Sequence, residues 1–233
     1  MDMNPPRKGI RPLREAYAGC VRLLREILYP EGALCQGCGK ISDGRCLCPA
    51  CRRELVYADL LGSWDRRELR GATAWSARSH QGLPRQLVLR LKHHAVAQVA
   101  EELAAGVLPP PAECSLPPDT VVCWVPMPAH RRRERCVDHG RLLAEAVARH
   151  LALPCRPLLT RTDPRAHTQE GLNQAQRRKN LRKAFRAAEE IHFPVLLVDD
   201  VLTTGTTAER CAAVLRGAGA PEVTVMTMTH ARR

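Results

Sequence analysis

Val195-Leu196-Leu197-Val198-Asp199-Asp200-Val201-Leu202-Thr203-Thr204-Gly205-Thr206-Thr207 decides the fold. Four apolar residues open it, enough for a strand buried on both faces. Two carboxylates follow where such a strand should end. A turn of small and hydroxylated residues comes next, and Ala208 to Arg216 reads as a helix. Strand, loop and helix in that order build a phosphate site: backbone N–H groups and hydroxyls gather at a helix N-terminus, where the dipole favours an anion. No Lys follows Gly205, so this is not a Walker A loop. Two acids directly before the loop suit a group lying between acid and phosphate. A ribose 5′-phosphate is such a group: its hydroxyls can bond Asp199 and Asp200 while its phosphate sits in Thr203 to Thr207.

A plain strand–turn–helix with an Asx-type cap is the ordinary alternative. A lone Asp-Asp is common; the apolar run, the acid pair and Thr-Thr-Gly-Thr-Thr in one register are not. The pattern closely resembles the phosphoribosyl-pyrophosphate (PRPP) signature of type I phosphoribosyltransferases. The resemblance implies a PRPP-binding run of Val201, Leu202, Thr203, Thr204, Gly205, Thr206 and Thr207. It implies catalytic roles for Asp199 and Asp200 at the ribose hydroxyls, directly or through Mg²⁺ entering with PRPP.

Charge supports a phosphate ligand. The chain of 233 residues carries a net +12 with a pI near 9.6, which suits nucleic acid, phosphates or a membrane surface. Between His130 and Glu190 there are 15 Lys and Arg against 7 Asp and Glu, a net of +8. Much of the excess therefore lies just before the proposed loop. Apolar residues make up 45% and aromatics 3%, so the core must be aliphatic. The length allows one full domain plus a small module. No apolar run approaches the roughly 18 residues of a membrane span. Met1 to Arg14 is basic and Pro-rich without an apolar signal core after it. The reading therefore expects a cytoplasmic protein with no membrane insertion.

Eleven cysteines, five of them between Cys35 and Cys51, do not look like a secreted disulfide framework. Cys35-Gln-Gly-Cys38 and Cys48-Pro-Ala-Cys51 are two C-x2-C knuckles at short separation, a strong signal for a structural Zn²⁺ held by four thiolates. Cys46 offers a fifth thiolate. Cys48 and Cys51 are preferred because their spacing copies that of Cys35 and Cys38. Four thiolates leave no open coordination position, so folding or partner binding is the expected role.

Outward from these landmarks, Glu15 to Leu28 reads as a helix and Arg52 to Gln81 is poorly patterned, apart from a strand at Ala72 to Ala77. Pro84 to Leu108 reads as one helix carrying Lys92, His93 and His94. Thr120 to Val125 is a β-branched strand, stopped by Pro126 and Pro128. Arg131, Arg132, Arg133 and Arg135 follow, either a solvated basic turn or a cluster binding pyrophosphate or a nucleic-acid backbone. Asp138 caps a helix to Leu151, and Cys155 to Leu159 is a short strand. Thr162 to Gln174 is polar and irregular, a candidate lid; a basic helix through Arg177 to Phe185 comes after it. Glu222 to Met226 is the last strand. Alternating strands and helices make a parallel sheet with ligand at the carboxyl ends of its strands.

Knuckles, arginine turn, lid and PRPP loop in this order resemble the ComF family of phosphoribosyltransferase-like competence proteins, from Cys35 to Thr229. Gln169-Glu-Gly-Leu172-Asn173 through Arg177, Asn180 and Ala184-Phe185 is similar to that family's run ahead of the PRPP loop. Val125-Pro126-Met127-Pro128 with Arg135 resembles its V-P-x-P…R-x-R-G-F-(N/D)-Q segment, but Cys136-Val137-Asp138-His139 stands where Gly-Phe-Asn-Gln is usual.

The resemblance implies an α/β fold. A type I phosphoribosyltransferase-like parallel sheet, flanked by helices, would follow a small four-cysteine zinc module. Expected boundaries are 1–57 for helix and zinc module, 58–81 for a connecting segment and 82–233 for the phosphoribosyltransferase-like domain. It implies a PRPP-binding protein of natural transformation that handles single-stranded DNA, with other DNA-uptake or recombination proteins as further partners. Lys92, Arg133, Arg135, Gln169 and Arg177 would face pyrophosphate or nucleic acid, the last two from the lid. Whether it is a phosphoribosyltransferase, and on what acceptor, stays open. A nucleic-acid-binding adaptor without catalysis and a nucleobase-salvage phosphoribosyltransferase are the alternatives.

Overall fold

In the computed structural model, described for residues 33–61, 64–94, 96–106, 110–128, 137–161 and 184–231, contacts divide the chain into two units, 1–49 and 50–233. In the first unit, Leu34 and Ile41 form an antiparallel bridge. The Cys35 N–H donates to the Lys40 carbonyl at 2.8 Å and the Gly39 N–H to the Cys35 carbonyl at 2.9 Å, closing a tight knuckle. The Gln36 N–H donates to the Cys46 carbonyl at 2.8 Å and ties the loop across.

The second unit starts within α1 (Pro49–Leu61). The strands β1 (Asp65–Leu69) and β2 (Ala72–Ser79) follow, then α2 (Gly82–His94), α3 (Ala97–Ala105), β3 (Val121–Trp124) and α4 (His139–Leu151). The chain ends with β4 (Leu159–Arg161), β5 (Phe185–Ala187), β6 (Val195–Leu202), α5 (Thr206–Gly217) and β7 (Val223–His230). The main sheet has the order β1-β2-β7-β6-β3. β2, β7, β6 and β3 are parallel, and β1 joins antiparallel at the edge. The carboxyl ends of the four parallel strands therefore share one edge.

Periodicity explains the layers. α5 buries Ala208, Cys211, Ala212 and Leu215, spaced as one helical face. They pack with Val195, Leu197, Val223 and Val225, alternate residues of β6 and β7. α4 packs on β3, β6 and α3 and α2 packs on β2, so these helices cover the other face. Small residues (Ala100, Ala104, Ala144, Ala148) let α3 and α4 approach closely. The core is aliphatic, as the composition requires.

Several expectations are corrected. Segment 58–81 is not a connector: β1 and β2 pair with the sheet, β2 directly with β7. Pro84 to Leu108 is not one helix; α3 starts afresh after Val96, whose backbone is extended (φ −74, ψ 111). Cys155 makes only a single bridge, to Val122. Pro154 and Pro157 flank it without N–H donors, and regular pairing resumes where β4 meets β5 antiparallel. Phe185 opens β5 rather than closing a helix. β6 does not stop before the acids: Asp199 pairs with Thr227 and Leu202 with His230, which also carries β7 beyond Met226. The Glu15 to Leu28 helix, the arginine turn and the lid lie outside the described residues.

Gly219 ends the α5–β7 turn at φ +106, where a Cβ would lie 2.6 Å from the Ile191 carbonyl oxygen. Ile191 is tied to this turn by its N–H bond to the Ala218 carbonyl, 2.8 Å. Gly219→Ala is expected to cost about 2–4 kcal/mol, read as a melting point lower by roughly 4–16 °C. An unchanged melting point would contradict the turn geometry.

Candidate functional site

Backbone alternation places the acid pair. Asp199 continues the face of Val195 and Leu197 that α5 covers. Asp200 points to the opposite face and is 6% exposed. There Lys92 Nζ, in the last turn of α2, meets Asp200 Oδ1 at 2.9 Å, and His139 Nε2, at the start of α4, meets Oδ2 at 3.2 Å. Thr229 Oγ1 donates to the Asp200 carbonyl at 3.2 Å and lies 2.9 Å from His80 Nδ1. Asp199 Oδ1 accepts the Asp200 N–H at 2.9 Å, and among the described residues no side chain donates to it.

These surroundings separate the two carboxyls. Burial pushes Asp200 up, but the His139 hydrogen bond and the Lys92 ammonium outweigh it and hold the group below its ordinary value. Burial, then the Asp200 charge, push Asp199 up to about 7. Burial, then Lys92 and Arg85, lower His80.

The loop follows at once. Gly205 is the N-cap of α5 at φ +78, and a Cβ there would lie 2.8 Å from Leu69 Cδ2. β1 therefore presses on the loop, and Arg67 Nη1 donates to the Thr203 carbonyl at 3.2 Å. Thr203, Thr204, Thr206 and Thr207 are exposed. Thr204 and Thr206 share a hydroxyl contact of 3.0 Å. Hydroxyls and free N–H groups at the start of a 12-residue helix can hold a phosphate. Val201 and Leu202, expected in the binding run, belong to β6, and the Leu202 side chain is in the core at 2% exposure.

Cys35, Cys38, Cys48 and Cys51 bring their Sγ atoms within 4.8 Å of one another. Cys38 and Cys48 are 3.8 Å apart, matching the roughly 3.8 Å expected between sulfurs of a tetrahedral Zn–S site. The Cys48 N–H donates to Cys35 Sγ at 3.2 Å, as a metal-bound thiolate would accept. Cys46 is not one of the four. The donor set fits a structural zinc.

Lys92 is thus brought to the acid pair, while Arg133, Arg135, Gln169 and Arg177 lie outside the described residues. His139, His80 and Thr229 were not singled out from sequence. Position was the available signal: His139 follows the Asp138 cap, and His80 and Thr229 stand at carboxyl ends of parallel strands.

Strand order, acid pair and open hydroxyl loop define a type I phosphoribosyltransferase-like protein behind a four-cysteine module. The chain is 28% identical to competence protein F of Haemophilus influenzae over 229 residues, covering 91% of this chain and 96% of that one. It is 32% identical to the DNA utilization protein YhgH of Salmonella typhi over 146 residues, 61% of this chain and 63% of that one. Both relatives support the resemblance to the ComF family that the sequence shows. No family model matches. Among solved structures, it is similar to glutamine PRPP amidotransferase of B. subtilis with TM-score 0.38 and 23% identity over 61% of this chain. It spans 26% of that enzyme's length. At such a TM-score the class rests on the strand order and the loop.

Proposed function

We propose that this chain binds PRPP and acts in DNA uptake, handling single-stranded DNA in the cytoplasm. The observation that carries the reading is the Asp199–Asp200 pair leading directly into exposed Thr203, Thr204, Thr206 and Thr207 at the start of α5. The loop would take the 5′-phosphate and the acids the ribose hydroxyls. Mg²⁺ would enter with the pyrophosphate, since the described acids supply no metal cluster of their own and Mg²⁺ is commonly held largely by substrate phosphates. Lys92, Arg133 and Arg135, with Gln169 and Arg177 of the lid, would face pyrophosphate or the nucleic acid.

In a catalytic cycle the C1–oxygen bond to pyrophosphate breaks and an acceptor nucleophile bonds C1. The chain's own work is positioning, electrostatic stabilisation and exclusion of water. The relatives' names, competence and DNA utilization, support the placement in DNA uptake. The net charge of +12 favours a second reading, an adaptor that holds the DNA backbone without turnover.

Calorimetry separates them. PRPP with Mg²⁺ should bind, and Asp199→Asn with Asp200→Asn should abolish binding while leaving the fold intact. Prior loading with single-stranded DNA should change that affinity through one coupling free energy. DNA binding that falls steeply with salt, without any PRPP binding, would favour the adaptor. Rapid turnover of PRPP with a free base would instead revive nucleobase salvage.

A further inference from the structure

We infer that His139, together with Lys92, is a positioning residue that clamps Asp200, so that the acid pair meets the ribose hydroxyls in one fixed geometry. The inference rests on the pocket reading above.

Both Asp200 oxygens are engaged by the protein's own side chains, Oδ1 by Lys92 at 2.9 Å and Oδ2 by His139 at 3.2 Å. Its carbonyl is engaged too, by Thr229 Oγ1 at 3.2 Å. Its side chain is 8% exposed, so these contacts fix where it points. Asp199 takes its neighbour's N–H, has no side-chain donor among the described residues, and lies on the α5 face of the sheet. The exposed threonines stand at the N-terminus of that same helix.

The local structure aims His139 at its target. Asp138 Oδ1 accepts the Gly140 N–H at 3.1 Å and the Arg141 N–H at 3.4 Å, fixing the first turn of α4. At Gly140 a Cβ would lie 3.3 Å from the Val125 carbonyl, so the helix start sits close against the end of β3. His139 Nδ1 is buried with no partner among the described residues. The Nε2 bond to Asp200 is then the polar contact that orients the ring.

A hydrogen bond to a charged group is worth enough to change affinity about tenfold or more. In a PRPP·Mg²⁺ titration, His139→Ala should bind at least tenfold more weakly than the unsubstituted protein. His139→Gln should restore affinity to within about threefold, because the Gln amide nitrogen reaches about as far as Nε2. Unchanged affinity in His139→Ala, or a Gln variant as weak as Ala, would overturn the inference. Proton NMR reads the clamp without ligand: a protected His139 Nε2–H resonance is expected and should vanish in Asp200→Ala. If the unsubstituted protein binds no PRPP, the pocket reading fails. The clamp itself then stands or falls on that resonance.

Discussion

Asp199→Asn is expected to raise the stability of the folded chain by up to about 4 kcal/mol at pH 8 and to change it little near pH 4. The folded carboxyl titrates near 7 against an ordinary 3.8. Between those values the native state binds more protons than the unfolded state, so stability falls as pH rises. The favourable contribution is complete below the ordinary value and lost once pH passes about 7. Burial is the largest cause, and the Asp200 charge adds to it. Asn removes the charge and keeps an oxygen for the Asp200 N–H. The gap between variant and parent should therefore open from pH 4 to 7 and stay level above. Denaturant melts across that range check it; a gap independent of pH would contradict the buried-acid geometry. The same variant should lose PRPP, the pattern of a residue kept for function against stability.

Removing zinc is expected to have the other large effect. Structural zinc contributes an apparent binding free energy on the order of 10–16 kcal/mol in zinc-finger peptides. Among the described residues the knuckles at Cys35–Cys38 and Cys48–Cys51 are tied by the Cys35–Lys40 and Gln36–Cys46 backbone bonds and by the sulfur cluster itself. One Zn²⁺ per chain should be found by elemental analysis. Chelation should abolish amide protection from Cys35 to Cys51 while β2, β6 and β7 keep theirs. Cys35→Ser should lose the metal and Cys46→Ser should keep it. A metal-free protein with unchanged protection would contradict a structural zinc site.

The sequence made the loop and the knuckles legible because each is a local pattern. A helix N-terminus and a C-x2-C turn are set by neighbours a few residues apart. The acid pair was visible as chemistry but not as geometry. Continued pairing of Asp199 with Thr227 and Leu202 with His230 extends β6, and the twofold period then sends the two carboxyls to opposite faces. Lys92 and His139 are 47 positions apart and come from different helices, so no local spacing announces that they share Asp200. In the sequence His139 stands out only within Cys136-Val137-Asp138-His139, a departure from the ComF pattern. β1 was hidden for a similar reason: Asp65-Arg-Arg-Glu-Leu69 is mostly charged, as an edge strand tolerates, and only its pairing with β2 shows it.

The most direct test of the central claim is phosphorus NMR of PRPP with Mg²⁺, titrated with the protein and with the Asp199→Asn, Asp200→Asn double variant. The account predicts that the 5′-phosphate resonance shifts and broadens with the unsubstituted protein, since the loop at Thr203 to Thr207 holds that group, and that the double variant leaves it unmoved. A 5′-phosphate resonance unaffected by saturating protein would contradict the account and leave the loop as scaffold.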